Sequence, residues 1–348
     1  MKFESDSKHI FVIAEAGSNW KCGTYEEDLK QAQKLIKIAA NAGADAVKFQ
    51  TYKSETVYVK NAGTSDYLSK NGITENINEI FDNLSMPYVM IRELAKYCKE
   101  ENIIFMSTPF SIQDAKEVDP FVSIHKVASF EINHPRLLEF LAKTGKPLLI
   151  STGASTLDEI DFAYDFVKKH GNVNLVFLQC TSQYPASIEA MNLAVIPKLK
   201  SKYNIPIGLS DHSIDPTIAP IVAIGLGATI IEKHFTIDRN LPGPDHVFAL
   251  NPNELKTMIE NIRNAEKSLG SGIKTILNEE KELRNYATRA IQAIKDIEKG
   301  EILREGENYE VLRPGNKIRG TEPRFLQNIE GKPSLKPVKT GDGILDYQ

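Results

Sequence analysis

The strongest constraint on the fold of this chain is an alternation of short β-branched segments with longer segments of helical period, which occurs eight times. A helix is expected over 25–41, because apolar residues recur every three or four positions from Leu29 to Ala39. The predicted strands lie at 9–17, 45–51, 103–110, 123–131, 147–153, 174–182, 206–213 and 229–236. Eight strand-then-helix units within residues 1–270 predict an α/β protein, a (β/α)8 TIM barrel.

A doubly wound open sheet is the alternative arrangement for the same alternation. Its phosphate-binding sequence, G-x-G-x-x-G directly after the first strand, is absent from this chain. The segments AGADAV (42–47) and GLGATI (225–230) each predict a tight glycine turn between a helix and the next strand. The segment 52–86 is too long for an ordinary strand-to-helix loop, which predicts an insertion beside the active site.

The pattern changes after Gly270, where the polar and charged stretch GSGIKTILNEEKELRNYATR begins. Its composition predicts a linker over residues 271–285. The remainder, 286–348, has little helical period, many glycines and prolines, and short β-like runs such as AIQAIKDI and YEVLRP. A small β-rich second domain is therefore expected there.

Charge and composition exclude several classes of function. A net charge of −4 gives no basic surface for nucleic acid. No apolar run approaches the roughly 20 residues needed to span a bilayer, and the N-terminus MKFESDSKHI lacks the apolar core of a signal peptide. The three cysteines, Cys22, Cys98 and Cys180, are widely spaced, which argues for a reducing compartment. We therefore expect a cytoplasmic protein that binds neither nucleic acid nor membranes.

Polar residues collect at the carboxyl ends of the predicted strands and are much rarer at the strand starts. In chain order they are Glu15 and Asn19; Lys48 and Gln50; Ser107 and Thr108; Lys126, Ser129 and Glu131; Ser151 and Thr152; Thr181, Ser182 and Tyr184; Ser210, Asp211 and His212; and Glu232, Lys233 and His234. A single polar residue at a strand end is usually a capping residue or part of a turn. Here all eight predicted strands carry polar residues at their carboxyl ends, which is the end where TIM barrels place their active sites. This predicts a catalytic mouth there and makes 1–270 the predicted catalytic domain.

The lysines and hydroxyls of this set suit a ligand that carries phosphate or carboxylate groups. Ammonium groups supply positive charge, and hydroxyls donate hydrogen bonds to anionic oxygens. These candidates are Lys48, Lys126, Thr108, Ser129, Ser151 and Ser210. On the last strand, alternation places Glu232 and His234 on one side and Lys233 on the other, which predicts that Lys233 faces the helices.

His212 and His234 end adjacent predicted strands, a separation that suits two imidazoles on one divalent ion. Two histidines are fewer protein ligands than zinc sites use. An open site completed by water and substrate suits Mn²⁺ or Mg²⁺ acting as a Lewis acid on a carbonyl. Histidines that only form hydrogen bonds within the mouth are the alternative.

Short motifs in the barrel resemble those of the sialic acid (nonulosonic acid) synthases: AEAGSN, KFQT, STPF, KVASFE, ISTG, CTSQYPA, IGLSDHS, IEKHFT and PGPDH. DIEKGEIL and LRPGNKI are similar to the antifreeze-like (SAF) domain at the C-terminus of these enzymes. The resemblance covers nearly the whole chain in the right order. It implies a transferase that condenses phosphoenolpyruvate with an N-acyl hexosamine to give a nine-carbon 2-keto acid and phosphate.

The resemblance also implies roles for matching residues. The phosphoenolpyruvate anion would be held by Lys126, Thr108, Ser129, Ser151 and Ser210, and the metal by His212 and His234. Glu15 would be the acid or base near the aldehyde, and Glu131 would lie near the attacking water. Sugar-side residues would be Lys48, Gln50, Tyr184, Asp245 and Arg313. The family arginine matched by Arg313 reaches the barrel of a partner subunit, which implies a domain-swapped homodimer.

Plainer roles compete with several of these assignments: Glu15 as a turn cap, Asp245 as an Asx-turn residue, Arg313 as a surface residue and Tyr184 as loop packing. Cys180 is interpreted as a small buried residue, not as a nucleophile.

The chain also departs from the family pattern. Trp20 stands where many members have histidine, and it is expected to wall the sugar pocket. Ser182 replaces an asparagine common in neuraminate-type enzymes, at a predicted substrate-binding position. KVASFE looks like the pseudaminate synthases, whereas LPGPDH looks like the neuraminate and legionaminate types, so the hexose stays open. Competing functions are a synthase for 3-deoxy-heptulosonate or 3-deoxy-octulosonate phosphate, and a non-catalytic sugar-binding relative.

Overall fold

The chain divides into two compact units, residues 1–270 and 271–348. A computed structural model describes residues 2–64, 76–172 and 174–347. Part of the predicted insertion 52–86, residues 65–75, lies outside the described residues.

The first unit is built on eight parallel strands: β1 (Phe11–Gly17), β2 (Ala46–Thr51), β3 (Ile104–Pro109), β4 (His125–Val127), β5 (Leu148–Ser151), β6 (Leu175–Cys180), β7 (Ile207–Asp211) and β8 (Ile230–His234). Their order in the sheet is β3-β2-β1-β8-β7-β6-β5-β4. The two ends of that order, β3 and β4, lie beside each other and complete the ring. The predicted (β/α)8 barrel is confirmed.

Helices connect the strands: α1 (Tyr25–Ala42), α2 (Ser54–Val57), α3 (Ile77–Asn83), α4 (Tyr88–Glu100), α5 (Ile112–Val118), α6 (Pro135–Lys143), α7 (Leu157–Lys169), α8 (Val195–Tyr203), α9 (Ile218–Gly225) and α10 (Pro252–Leu269). Capping boxes begin α1 at Thr24 and α7 at Thr156, where the side chain accepts from a backbone N–H and a glutamate three residues on returns the bond. Gly43 ends α1 with φ 87°, a left-handed conformation that glycine adopts without strain.

The barrel interior is filled by a separate apolar cluster: Phe11, Ile13, Ala46, Met106, Ile124, Leu149, Val176, Leu178 and Ile230. A larger core lies between the strands and the helices. Trp20 is 1% exposed and belongs to that larger core. The expectation that Trp20 walls a sugar pocket is therefore wrong, because its indole packs with the aliphatic side chains behind the barrel wall.

Strand β4 is shorter than the predicted segment 123–131. It ends at Val127, and the chain then makes a 3₁₀ turn over Ser129–Glu131. Ser129 and Glu131 are consequently presented by a turn above the strand and not by the strand itself. The turn frees their side chains from strict alternation across the barrel wall.

The second unit contains α11 (Lys281–Ala287) and an antiparallel pair, β9 (Ala290–Ala293) and β10 (Tyr309–Leu312). The predicted linker 271–285 therefore includes the start of a helix. The unit has its own small core: Ile291, Ala293, Ile297, Leu303, Tyr309, Ile329 and Ile344. A Cβ at Gly343 would lie 1.9 Å from the backbone nitrogen of Gly320, so two glycines let two chain segments cross closely here.

Among residues 2–64, 76–172 and 174–347, no helix is long and apolar enough to cross a membrane.

Candidate active site

A ring of polar side chains lies one inward-facing position above the apolar filling of the barrel. Because side chains alternate across a strand, the residue two positions after each buried apolar residue points to the same face. At that position seven strands carry Glu15, Lys48, Thr108, Lys126, Ser151, Cys180 and Glu232. On β7 the same place is taken by Ser210, two residues after Gly208, and all eight are buried. The barrel therefore changes from an apolar floor to a polar chamber within a single layer.

Lys48 and Glu15 form the first half of this chamber. The Lys48 Nζ atom lies 2.6 Å from Glu15 Oε2 and donates to Thr108 Oγ1 at 2.9 Å. Gln50 donates to the other Glu15 oxygen at 3.0 Å. The predicted sugar-side residues Lys48 and Gln50 thus contact the predicted acid or base directly.

Lys126 forms the second half, across the barrel. Its Nζ atom donates to Ser151 Oγ at 2.7 Å and to the carbonyl oxygen of Val127 at 3.0 Å. Burial lowers the pKa of Lys126 below its ordinary value, while the carboxylate of Glu232 opposes that shift. The Lys126 ammonium group is almost completely buried and already donates to a hydroxyl, so it is suited to bind an anion.

Glu232 joins the two halves, in a role that the sequence pattern left open. Its oxygens lie 3.7 Å from Lys48 Nζ and 3.8 Å from Lys126 Nζ, and Ser210 Oγ donates to it at 3.0 Å. Alternation along the last strand does predict that Glu232 and His234 point to the same side. Its position between two lysines depends on which residues the neighbouring strands bring opposite it.

The two central carboxyl groups have opposite protonation behaviour. Burial raises the pKa of Glu15 to about 7; Lys48 opposes this rise and Glu232 adds to it. Burial would also raise the pKa of Glu232, but Lys126 and Lys48 outweigh it and hold the pKa at about 2. Glu232 is therefore the permanent anion of the chamber, and Glu15 can exchange a proton near neutral pH.

Gly153, two residues after the end of β5, brings three further side chains together. A Cβ at Gly153 would lie 2.3 Å from Ser182 Oγ, 2.9 Å from Ser129 Oγ and 2.9 Å from Cys180 Sγ. The Gly153 N–H donates to Ser129 Oγ at 3.0 Å. The Ser182 hydroxyl is buried without a hydrogen-bond partner, as expected for a donor that awaits a ligand.

Glu131 lies at the end of the 3₁₀ turn after β4. Its Oε2 atom is buried and has no hydrogen-bond partner. Burial raises the pKa of Glu131 to about 7, and the charge of Lys126 works in the opposite direction. A carboxyl group whose pKa is shifted to neutrality by burial is equipped for proton transfer.

His212 and His234 face each other at the ends of β7 and β8, with ring centroids 5.5 Å apart. The His212 Nδ1 atom lies 2.8 Å from the carbonyl oxygen of Thr181, which only accepts, so Nδ1 carries a proton and Nε2 is left with a lone pair. His234 Nδ1 is buried without a partner, and burial holds the pKa of His234 well below its ordinary value.

These two imidazoles fit a divalent ion that takes its remaining ligands from water and substrate. In the described part of the chain, no group of three or more His, Cys, Asp and Glu side chains is arranged to hold a metal. An ion on these two histidines would therefore depend on substrate or water oxygens to complete its shell.

Cys180 has a partner that sequence spacing did not reveal. Its Sγ atom lies 3.8 Å from His212 Nδ1. Burial would raise the pKa of the Cys180 thiol, but His212, Ser129 and Lys126 together lower it. The residue is a buried thiol, as interpreted from sequence, yet it contacts one of the two candidate metal ligands.

Tyr184 and Asp245 border the histidine pair. The ring of Tyr184 lies 4.2 Å from that of His212. Asp245 Oδ2 accepts hydrogen bonds at 2.9 Å from both the backbone N–H and the hydroxyl of Ser18. Gly17 makes this approach possible, because a Cβ there would lie 2.4 Å from that oxygen. Ser18 is a contact that the sequence reasoning missed.

Lys233 does not contribute its side chain to this chamber, and Arg313 belongs to the second unit. Lys233 points away from the chamber and pairs with Asp211, as alternation predicted. Arg313 is exposed and follows β10 in the second unit. The other residues to which the resemblance gives a role lie in the polar chamber or at its border. Ser107 and Asp211, also expected at the mouth, do not, because their side chains contact Thr51 and Lys233.

Comparison with known proteins identifies the family. A profile described as the NeuB family matches residues 35–274. The chain is 38% identical to the pseudaminic acid synthase of Campylobacter jejuni, over 98% of this chain and 97% of that protein. It is also 38% identical to the N,N'-diacetyllegionaminic acid synthase of the same species, over 97% of this chain and 99% of that protein.

Among solved structures, the N-acetylneuraminic acid (sialic acid) synthetase of Leptospira borgpetersenii, in complex with citrate, superposes with a TM-score of 0.69. It is 34% identical, and the match covers 80% of this chain and 91% of that one. The match of the profile to more than half of the chain, together with these relatives, shows that the chain belongs to the NeuB family.

Proposed function

We propose that this protein is a nonulosonic acid synthase, a transferase that condenses phosphoenolpyruvate with an N-acyl hexosamine and releases phosphate. The observation that carries the proposal is the buried chamber in which Lys48, Lys126 and hydroxyl groups lie beside two facing histidines. Full-length similarity to synthases of pseudaminic and legionaminic acid supports the same reaction class. We also place the enzyme in the cytoplasm, as the cysteine pattern predicts.

The phosphoenolpyruvate anion is held by Lys126, Thr108, Ser129, Ser151 and Ser210. Lys126 already donates to Ser151, so an incoming oxygen would meet an oriented ammonium group and hydroxyls with little rearrangement. The unpartnered hydroxyl of Ser182 adds a donor at the same side of the chamber. Preorganised donors of this kind are worth several kcal/mol to a charged transition state, about 3 each in favourable cases.

The carbon–carbon bond forms when the enol carbon attacks the aldehyde carbon of the open-chain sugar, and the aldehyde oxygen takes a proton from Glu15. Water then attacks the cationic carbon that bears the phosphate, and Glu131 accepts the water's proton. The carbon–oxygen bond to phosphate breaks as the new hydroxyl loses its proton, which leaves a ketone and free phosphate. Pairs of carboxyl groups with pKa values near neutrality suit these two proton transfers.

The metal ligands are His212 and His234, and the ion is Mn²⁺ or Mg²⁺. When bound, such an ion polarises the sugar aldehyde as a Lewis acid. Lys48, Gln50, Tyr184 and Asp245 hold the sugar. His212 contacts Cys180, which lies with Ser129 beside Gly153, so the histidine pair borders the anion site and the two substrates would lie side by side.

We further propose that residues 286–348, after the linker 271–285, form an antifreeze-like (SAF) domain. Arg313 of this domain contacts the N-acyl group of a sugar bound in a partner's barrel, in a domain-swapped homodimer. The exposure of Arg313 is compatible with such a contact. The hexose stays open between N-acetylmannosamine and a 6-deoxy-di-N-acetyl hexose.

The test of the function is phosphate release from phosphoenolpyruvate by the pure protein with Mn²⁺ and a panel of N-acyl hexoses. We expect release with at least one N-acyl hexose and none with sugar phosphates. Release only with a pentose or tetrose phosphate would contradict the proposal in favour of a 3-deoxy-octulosonate or heptulosonate phosphate synthase. If no sugar gives phosphate release although the protein binds the metal, the protein would be a non-catalytic sugar-binding relative.

The shared site is tested by mixing two inactive variants, Arg313→Ala and His212→Ala, under conditions that exchange subunits. Heterodimers would contain one complete site, so a statistical mixture should recover about one quarter of the parent activity. Each variant alone is the control. No recovery despite exchange demonstrated with tagged subunits would contradict domain swapping.

A further inference from the structure

Lys233 is a buried cation that the proposed chemistry does not use. It lies on β8 between Glu232 and His234 but faces the opposite side of the strand, and it is 1% exposed. Removing an ammonium group from water costs several kcal/mol unless it is paired and fully hydrogen-bonded. The groups that pair with Lys233 therefore indicate which part of the structure its burial stabilises.

All the partners of Lys233 lie in the segment 211–215, where β7 ends and the next loop begins. The Nζ atom lies 2.7 Å from Asp211 Oδ2 and 3.1 Å from Ser213 Oγ. It also donates to the backbone carbonyl oxygens of Ser213 and, at 3.1 Å, Asp215. One ammonium group thus contacts two side chains and two backbone carbonyls within the segment 211–215.

Asp211 extends this contact. It pairs with Lys233 in the β7–β8 register, and its second oxygen accepts the N–H of Ser213 at 2.7 Å. The residues on either side of His212 are therefore both held by Lys233, one directly through a carboxylate and one through its hydroxyl and carbonyl. We call Lys233, Asp211 and Ser213 the loop clamp.

We propose that Lys233 is a positioning residue, which fixes His212 at the distance from His234 that a shared divalent ion requires. This rests on the proposed metal role of the two histidines. His234 is the next residue on β8, so the strand that carries one imidazole also anchors the loop that carries the other. The partners that orient a metal-binding histidine typically change metal affinity about 10- to 100-fold when removed.

The alternative is that the clamp only stabilises the fold, and the choice of variants separates the two. Lys233→Met alone leaves Asp211 as a buried unpaired charge and is expected to destabilise the protein strongly. The double variant Lys233→Met, Asp211→Asn removes both charges and keeps an acceptor for the Ser213 N–H. It should fold, but it lacks the contacts of the ammonium group to Ser213 and Asp215.

A matched control lies at the other end of the barrel strands. Lys146 donates to the carbonyl and carboxylate oxygens of Asp119 at 2.6 and 2.7 Å, beside the start of β4. This contact is also a lysine clamp on a loop, but it is distant from both histidines along the strands. Lys146→Met is expected to leave both metal and phosphoenolpyruvate binding unchanged.

The experiment measures Mn²⁺ binding to the metal-stripped full-length protein by electron paramagnetic resonance, and phosphoenolpyruvate binding by calorimetry. We expect the double variant to bind Mn²⁺ at least about 10-fold more weakly. Its phosphoenolpyruvate affinity should stay within about twofold of the parent, because Ser210 faces the opposite side of β7 from Asp211 and the contacts of Lys126, Thr108 and Ser129 do not involve the loop clamp. General damage would weaken both ligands and overturn the proposal, as would unchanged Mn²⁺ affinity in the folded double variant. A parent that binds no Mn²⁺ would refute the metal role itself.

Discussion

Replacing His234 with alanine is expected to lower phosphate release at least about 1000-fold, with the fold retained. The imidazole is buried at the end of β8, and His212 lies with its ring 5.5 Å away. One imidazole cannot hold the ion that the pair would bind, so the aldehyde loses its electrophilic activation. Steady-state turnover with phosphoenolpyruvate and the preferred sugar measures the loss.

The stability cost of this substitution should be modest. His234 Nδ1 has no hydrogen-bond partner, so its removal leaves no other donor or acceptor without a bond at that atom. The cavity that remains lies next to the ring of Phe248, whose centroid is 5.0 Å from the imidazole. We expect a loss of about 1–2 kcal/mol in the free energy of unfolding, measured by urea denaturation.

His125 supplies the matched control, since it is also a completely buried histidine but lies at the start of β4. Its Nε2 atom lies 2.9 Å from Asp119 Oδ1. His125→Ala should cost more stability than His234→Ala and leave the turnover of the folded protein unchanged. Full activity of the parent in strictly metal-free buffer would refute the metal role of His234.

The barrel and the location of its chamber could be predicted because both depend on local sequence. Helical period, strand length and turn residues indicate the eight units, and alternation indicates which strand residues share a face. The polar ring follows directly, since seven of its eight members are two residues after an apolar side chain of the filling, and Ser210 is two residues after Gly208. Glu15, Lys48 and Lys126 could therefore be identified from the amino-acid sequence alone.

The contacts across strands could not be predicted in the same way. Glu232 lies between Lys48 and Lys126 because of the order β2-β1-β8-β7 and the opposite wall of the barrel. The Cys180–His212 contact joins residues 32 positions apart. Register, closure and side-chain reach decide such contacts, and none of these is written in a single segment.

Trp20 shows a different limit. Its position after the first strand, where relatives carry a histidine, suggested a pocket wall, yet the indole is buried in the core outside the barrel. A large apolar side chain gains more free energy from burial against the helices than from a half-solvated wall. Matching a motif position therefore did not predict the direction of the side chain when its chemistry had changed.

Replacing Glu131 with glutamine should stabilise the protein at alkaline pH and nearly abolish turnover. Burial raises the pKa of Glu131 from 4.5 to about 7 in the folded state. Between these values the folded protein binds more protons than the unfolded chain, so stability falls as the pH rises, and the full loss is present above pH 7. A shift of this size corresponds to about 3 kcal/mol. Glutamine carries no charge to desolvate and avoids this loss.

The gain in unfolding free energy should therefore approach about 3 kcal/mol at pH 8 and nearly vanish below pH 4.5. Urea denaturation of parent and variant at both ends of this window measures it. Glu100→Gln is the control, because that carboxyl group is exposed on α4, 3.9 Å from Lys96, and such pairs contribute little. A variant that gained the same stability at acidic pH would contradict the burial of a titrating carboxyl group.

Activity tests the same residue independently of stability. If Glu131 accepts the proton of the attacking water and Glu15 is the acid, kcat/KM of the parent peaks near pH 7. It falls below that pH as Glu131 is protonated and above it as Glu15 loses its proton. The Glu131→Gln enzyme should lose about 100- to 1000-fold in kcat and retain only the falling limb. A variant that kept the rising limb would show that another group is the base. The Glu131 carboxyl group reduces stability at the working pH, because burial outweighs the nearby charge of Lys126. The proton that it accepts in the reaction would explain why the chain keeps it there.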